Sequence, residues 1–338
     1  MPPESVSTLV SLTDRTPTIT GAEIVTQLVP PRQFADASLE NYRPDPEFAS
    51  QAEAVAAVTT FGGAGAEAPK RGLFRKKQAV PAVRPGLYLD GGFGVGKTHL
   101  LAALWNRTTG RRYFGTFIEY TALVGAVGYA GAAAQLKGAS LVCIDEFELD
   151  DPGDTMMMTR LLGDLADDGT RIAATSNTPP NALGEGRFAA ADFLREIQGL
   201  SDKFLTLRID GNDYRRREVE ARAHVVDDVD AAAASLGGTV SLDDFDGVVR
   251  HLATVHPSKY VKLVDDLDAV GLRDVHVLTS QVDALRLVAF VDRLYDAQIR
   301  VVASGTPLDQ VFSDEMLSGG YRKKYLRAVS RLVALTSL

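Results

Sequence analysis

Between residues 86 and 210 the chain alternates short apolar runs with longer stretches whose apolar residues return at helical spacing. Gly86 to Asp90, Tyr113 to Ile118, Ser140 to Ile144, Arg171 to Ser176 and Phe204 to Ile209 are the short runs. They are nearly continuous in apolar side chains, as strands are when helices cover both faces of their sheet. The stretch before Arg171 places Met157, Met158, Leu161, Leu162 and Leu165 on one stripe, with Asp154 set to cap its start and Gly169 to end it. The three consecutive methionines read as core filler rather than a partner-binding patch. Strand and helix in alternation predict a doubly wound parallel sheet.

Beyond residue 217 the pattern turns helical, with an Ala-rich segment from Asp230 to Leu236 and a capped helix start at Ser241-Leu242-Asp243-Asp244. Pro257 suits a helix's first turn. Val275 to Thr279, an amphipathic stretch from Asp283 to Asp296, and Ile299 to Ala303 read as one more strand-helix-strand unit, which either extends the main sheet or belongs to a separate lid. Upstream lie a Pro-rich lead (Pro30-Pro31, Pro44, Pro46) and a helix from Pro46 to about Thr59. Four regions follow: an N-terminal segment 1–61, a linker or insertion 62–85, a nucleotide-binding core 86–217, and a mainly helical, mixed C-terminal region 218–338. The insertion is rich in Gly, Ala and Pro and carries Lys70, Arg71, Arg75, Lys76 and Lys77. That cluster is either a solvated loop or a contact for an acidic partner or membrane headgroups.

Composition narrows the choice of class. At 338 residues there is ample apolar material for a core, and the formal charge of −8 argues against general nucleic-acid binding, though not against a local basic patch. The single cysteine, Cys143, sits in the apolar run Leu141 to Ile144 and reads as a core residue of a cytoplasmic protein. The N-terminus lacks the basic and then apolar pattern of a secretory signal. Leu123 to Gln135 is made mainly of Ala and Gly and is short of the roughly 20 apolar residues a membrane span needs, so it reads as a packed helix or loop.

Residues 91–98, GGFGVGKT, fit the phosphate-binding pattern G-x-x-x-x-G-K-[ST] between a strand and a helix. Gly91, Gly92, Phe93, Gly94, Val95 and Gly96 let backbone N–H groups turn inward on a phosphate chain, and the following helix, opening with His99 in its first turn, adds the positive end of its dipole. Lys97 is placed to reach the β- and γ-phosphates of ATP and Thr98 to hold Mg²⁺. The run LVCI ends in Asp145-Glu146, at the carboxyl end of its strand, where ligands of open parallel sheets bind. Asp145 is the candidate for the Mg²⁺ shell and Glu146 for the base that activates water. Asn177, ending RIAATSN, is either an amide facing the γ-phosphate or a turn residue before Pro179-Pro180. Glu148, Asp150 and Asp151 fit no calcium loop and read as a solvated turn. No second metal-type ligand stands near His99, which reads as a helix-face residue beside the nucleotide and not as part of a zinc site.

In this order GGFGVGKT, CIDEF and ATSN resemble an AAA+ ATPase. LYLDGGFGVGKTHL, CIDEFELDDPGDTMMMTRLLGDLADDGTRIAATSNTPPNAL, DYRRR, VDRLYDAQIRVVASG, YLRAVSRL and the early PPRQFADASLENYRPDP are together similar to the ZapE family of cell-division ATPases and their mitochondrial relatives, over roughly residues 30 to 338. The resemblance implies an ATPase that forms a homo-oligomeric ring and remodels a protein partner, in bacteria the division machinery with its tubulin-like FtsZ polymer. Where the family has clustered arginines, this chain has Ala190 and Asp192, which leaves Arg187, with Arg195 behind it, as candidate trans-acting finger. Phe117 and Tyr120 keep the family's aromatic character after the second strand and serve either a pore loop or the core. Arg327 and Arg331 match the closing motif and either sense nucleotide from a lid or solvate a helix face. A replication-type DNA loader and a nucleotide-gated scaffold share these motifs and stand as the alternatives.

Overall fold

The structure, a computed structural model, describes residues 7–63, 84–147, 152–179, 183, 198–199, 201–212 and 222–338. The basic cluster 70–77, Glu148, Asp150, Asp151, Arg187, Ala190, Asp192, Arg195 and the string DYRRR lie outside the described residues. The chain forms two compact units, one from 1–19, 31–33 and 215–338, the other from 20–30 and 34–214. The first strand, β1 (Ser7–Val10), belongs to the former, so the N-terminal segment is divided between the units and is not one piece.

In the larger unit come helices α1 (Gly21–Gln27) and α2 (Ala49–Gly63), then β2 (Gly86–Gly91), α3 (Lys97–Arg107), β3 (Arg112–Thr116), α4 (Phe117–Leu136), β4 (Leu141–Asp145), α5 (Pro152–Asp167), β5 (Arg171–Ser176) and β6 (Phe204–Ile209). The five strands, all expected from their apolar runs, form one parallel sheet in the order β3-β4-β5-β2-β6. One face buries Leu87 and Leu89 against Leu100, Leu101 and Leu104 of α3 and Ala54, Val58 and Phe61 of α2, each aliphatic side chain contributing about 1.5–3 kcal/mol. On the other, Tyr88 meets the rings of Phe147 and Phe204 edge-on at 6.3 and 6.0 Å. In α5 Met158, Leu161, Leu162 and Leu165 are buried, but Met156 is 52% exposed, so the methionine triplet is core only at one end.

Helix α4 has the length and composition to cross a membrane, yet it is kinked at Gly128 (φ 72°) and buries Phe117, Tyr120, Leu123, Val124, Ala132 and Leu136. The Tyr120 hydroxyl donates to the Cys143 carbonyl at 3.0 Å, and burial drives its pKa well above the usual tyrosine value. Phe117 packs edge-on to Phe147 at 5.4 Å. Both aromatics are therefore core residues and not pore-loop residues. Cys143 is fully buried, which pushes its thiol pKa up and leaves it unreactive.

The second unit adds α6 (Val229–Ser235), β7 (Gly238–Asp244), α7 (Phe245–Thr254), α8 (Tyr260–Leu263), β8 (Ala269–Val275), α9 (Gln281–Ala297), β9 (Arg300–Gly305), α10 (Asp314–Ser318) and α11 (Arg322–Thr336). It is helix-rich, as expected, but its helices cover a separate four-stranded parallel sheet, β1-β7-β8-β9. Strand-helix-strand 275–303 thus belongs to its own sheet and does not extend the first, and its first strand lies earlier than expected, ending at Val275. Ser241 to Asp244 are the last residues of β7, paired with β8 throughout and with β1 as far as Ser241, and the expected helix start follows at once: Asp244 is the N-cap residue of α7, though its side chain makes no capping hydrogen bond. Asp243, 5% exposed, accepts from Ser11 Oγ at 2.5 Å and from the Leu12 N–H at 2.9 Å, which fixes the exit of β1.

At the heart of this unit Asp292 of α9 faces two arginines of α11. Arg327 Nη2 donates to Asp292 Oδ2 at 2.7 Å and Arg331 Nη1 to Oδ1, and the residues are 8, 6 and 8% exposed. Burial alone would raise the pKa of Asp292, but the charges of Arg327, Arg331 and Arg293 outweigh it and hold it down at about 2. Arg327 and Arg331 are accordingly interior ion-pair partners and not residues of a solvated helix face.

Candidate nucleotide site

The site begins where β2 runs out between β5 and β6. Gly96, the N-cap of α3, has φ 83°, and a Cβ there would lie 2.5 Å from the Tyr42 ring, so both backbone and space require glycine. No side chain caps α3, which leaves its first N–H groups to a ligand. Val95 is buried in the core, while Gly92 is exposed with open space about it. The loop is thus anchored in the middle and open at its entry.

Lys97 bends back over the loop. Its Nζ donates to the carbonyls of Gly91 (3.0 Å) and Gly92 (2.5 Å) and to Asn177 Oδ1 (2.9 Å). Next to it Thr98 Oγ1 lies 3.2 and 3.0 Å from the two oxygens of Asp145, the last residue of β4. Asp145 is 7% exposed; burial and then the Glu146 charge raise its pKa, while hydrogen bonds from Thr175 and Thr98 and the Lys97 charge oppose them. Thr175 Oγ1 donates to Asp145 and accepts the Glu146 N–H at 3.1 Å, a role no motif had indicated. Glu146 itself has φ 54°, a conformation that turns the chain at the strand's end and is uncommon outside glycine. Lys97, Thr98, Asp145 and Asn177 therefore form one connected group, with Glu146 tied to it through Thr175.

A Thr hydroxyl beside a buried carboxylate is a hard-oxygen donor pair suited to Mg²⁺, which keeps waters and substrate phosphates as its other ligands. No cage of three or more His, Cys, Asp or Glu occurs among the described residues, and this mode of binding needs none.

Further residues support the loop that the motif did not reveal. The Tyr42 hydroxyl donates to the Val95 carbonyl at 2.8 Å, and His99 packs on Tyr42 (5.7 Å between centroids) with its Nε2 2.9 Å from the Ser38 carbonyl. His99 is thus held by the lead segment. Gln51, 1% exposed, accepts the Asp45 N–H and donates to the Asp210 carbonyl, and Ser50 accepts the Asp210 N–H, so α2 grips the chain just past β6. Finally, Asp90, directly before the loop, pairs with Arg208 of β6 at 3.2 Å.

A family model described as AFG1-like ATPase matches residues 18–237 and 226–338. The chain belongs to the AFG1-like ATPase family. Among relatives, the cell division protein ZapE of Escherichia coli K12 is 28% identical over 300 residues, covering 75% of this chain and 78% of that protein. Lactation elevated protein 1 homolog B of Danio rerio is 23% identical, with 72% and 60% covered. Among solved structures, domain III of the Thermotoga maritima replication initiation protein DnaA superposes with a TM-score of 0.40 at 17% identity, covering 60% of this chain and 82% of that one. As an AFG1-like ATPase the chain is a nucleotide-binding P-loop enzyme.

Proposed function

We propose that this AFG1-like ATPase hydrolyses ATP to ADP and phosphate with Mg²⁺ and couples the reaction to remodelling of a protein partner in cell division. The observation that carries the reading is the convergence of Lys97, Thr98, Asp145 and Asn177 at the carboxyl ends of three adjacent parallel strands, with Glu146 one residue away. The α3 N-terminus and the loop amides bind the phosphates. Lys97 exchanges its loop carbonyls for phosphate oxygens, and the Asn177 amide it releases orients the γ-phosphate or the attacking water. Thr98 and Asp145 would hold Mg²⁺, which would supply charge neutralisation on the phosphates. Glu146 accepts the proton of the attacking water. An arginine from a neighbouring copy, with Arg187 as candidate, completes the site in a homo-oligomeric ring.

The partner reading rests on the likeness to ZapE and points to the division machinery, FtsZ polymers included. The net charge of −8 weighs against a DNA loader.

Two measurements test this. Lys97→Ala should weaken Mg²⁺-dependent ATP affinity roughly ten- to hundredfold, since among the described residues the lysine is the one side-chain cation placed on the loop carbonyls. Affinity equal to the parent would remove Lys97 from phosphate binding. In sizing with and without ATP, the chain should assemble only with nucleotide, and a monomer under both conditions would dismiss the trans-acting arginine.

A further inference from the structure

Asp90 is an odd residue to find directly before a phosphate-binding loop. It is 3% exposed, its Oδ2 accepts from Arg208 at 3.2 Å, and its Oδ1 accepts no hydrogen bond among the described residues. A buried carboxylate with one oxygen left without a hydrogen-bond partner is costly. Its backbone neighbour Gly91 presents the carbonyl that holds Lys97 Nζ at 3.0 Å, so a negative charge lies one residue from the cation meant for phosphate.

The partner strand keeps that charge in place. Asp90 and Arg208 are register partners on adjacent parallel strands, and Gly91 presses so closely on β6 that a Cβ would stand 2.3 Å from the Ile209 carbonyl. Arg208 also pairs with Asp210 at 3.0 Å, and its side chain is 63% exposed. The buried end of this acid-base-acid row is therefore the anion beside the loop, while its compensating cation is half in water and weakened by solvent. The charge of the row that solvent screens least is that of Asp90, one residue before the loop.

We infer that Asp90 is an electrostatic brake on nucleotide affinity, tuned by Arg208, which raises the free energy of bound di- and triphosphate and so speeds release of ADP. The inference rests on the assignment of Lys97 and Thr98 to the nucleotide site. It carries a sign that a structural role does not share: damage to the loop weakens binding, whereas removal of the brake strengthens it.

The test is titration of the full chain with a fluorescent ATP analogue and its ADP counterpart in Mg²⁺. Asp90→Asn keeps size and one hydrogen bond to Arg208, and it should bind both nucleotides roughly three- to tenfold tighter, with ADP release slowed by a similar factor. Arg208→Gln should weaken binding by a smaller factor, about twofold, and the double variant should bind within about twofold of Asp90→Asn, because Arg208 acts through Asp90. Because Asp90 is buried, the gain should persist from about 0.05 to 0.5 M salt. Unchanged or weaker binding in Asp90→Asn overturns the brake even if Arg208→Gln does not fold. Failure of the parent chain to bind either nucleotide overturns the site assignment and the brake together.

Discussion

Replacing Glu146 by Gln should yield a protein that holds ATP and scarcely hydrolyses it. The substitution preserves shape, and the backbone hydrogen bond of the site survives it: the N–H of residue 146 still donates to Thr175 Oγ1. What is lost is the acceptor for the water's proton, a function that contributes roughly 10²- to 10⁴-fold in turnover. Binding is spared for a further reason. The Glu146 charge is one of the causes that raise the pKa of Asp145, so its removal eases ionisation of Asp145, the carboxylate proposed for Mg²⁺. Phosphate release under saturating ATP should therefore fall by at least about a hundredfold while equilibrium affinity stays within a few-fold of the parent. Turnover within about tenfold of the parent would place the base elsewhere.

That prediction was within reach of the sequence because every part of it is local. GGFGVGKT is a contiguous turn between a strand and a helix, and LVCID is a buried strand whose end is marked by the change from apolar to acidic residues. What lies beyond the motifs depends on pairing between distant segments. Tyr42 reaches the loop at Val95, Gln51 reaches Asp210, and Asp90 meets Arg208 only because β2 and β6 are neighbours in the sheet at one particular register. Each of these side chains reads as an ordinary loop, helix or strand residue in its own window.

The second sheet was illegible for a related reason. β1 pairs with β7 across more than two hundred residues, and Ser241-Leu242-Asp243-Asp244 carries the local chemistry of a helix start. The helix does start there, at Phe245 with Asp244 as N-cap, but the same four residues also finish a strand, because β8 and, up to Ser241, β1 pair with them. β8 contains Gly271, Arg273 and Asp274, which dilute its apolar signal and displace the apparent strand toward Val275 to Thr279. Phe117 and Tyr120 show the opposite limit: an aromatic after a strand fits a pore loop or a core equally well until burial decides it.

Asp292→Ala should be among the most destabilising substitutions in the C-terminal unit, because it leaves two guanidinium groups buried without their shared carboxylate. Arg327 and Arg331 are 6 and 8% exposed and donate to opposite oxygens of Asp292, so neither can turn to water without displacing α11 from α9. Breaking a buried pair from one side costs about 3–5 kcal/mol, more than an intact pair contributes, since the buried guanidinium groups lose the carboxylate they share. The sole tryptophan, Trp105, lies in the other unit, so the loss is best followed by hydrogen exchange of α11 amides during urea titration. The same residue sets an acid limit. With its pKa lowered in the fold from an ordinary 3.8 to about 2, Asp292 contributes stability that is fully present above about pH 4 and is lost as pH falls through about 2. Over that window the parent should lose about 2 kcal/mol through this residue, and Asp292→Ala should show no such component. Exchange of α11 in the variant within about 1 kcal/mol of the parent would mean that the arginines find other partners and that the ion pair does not hold the helix.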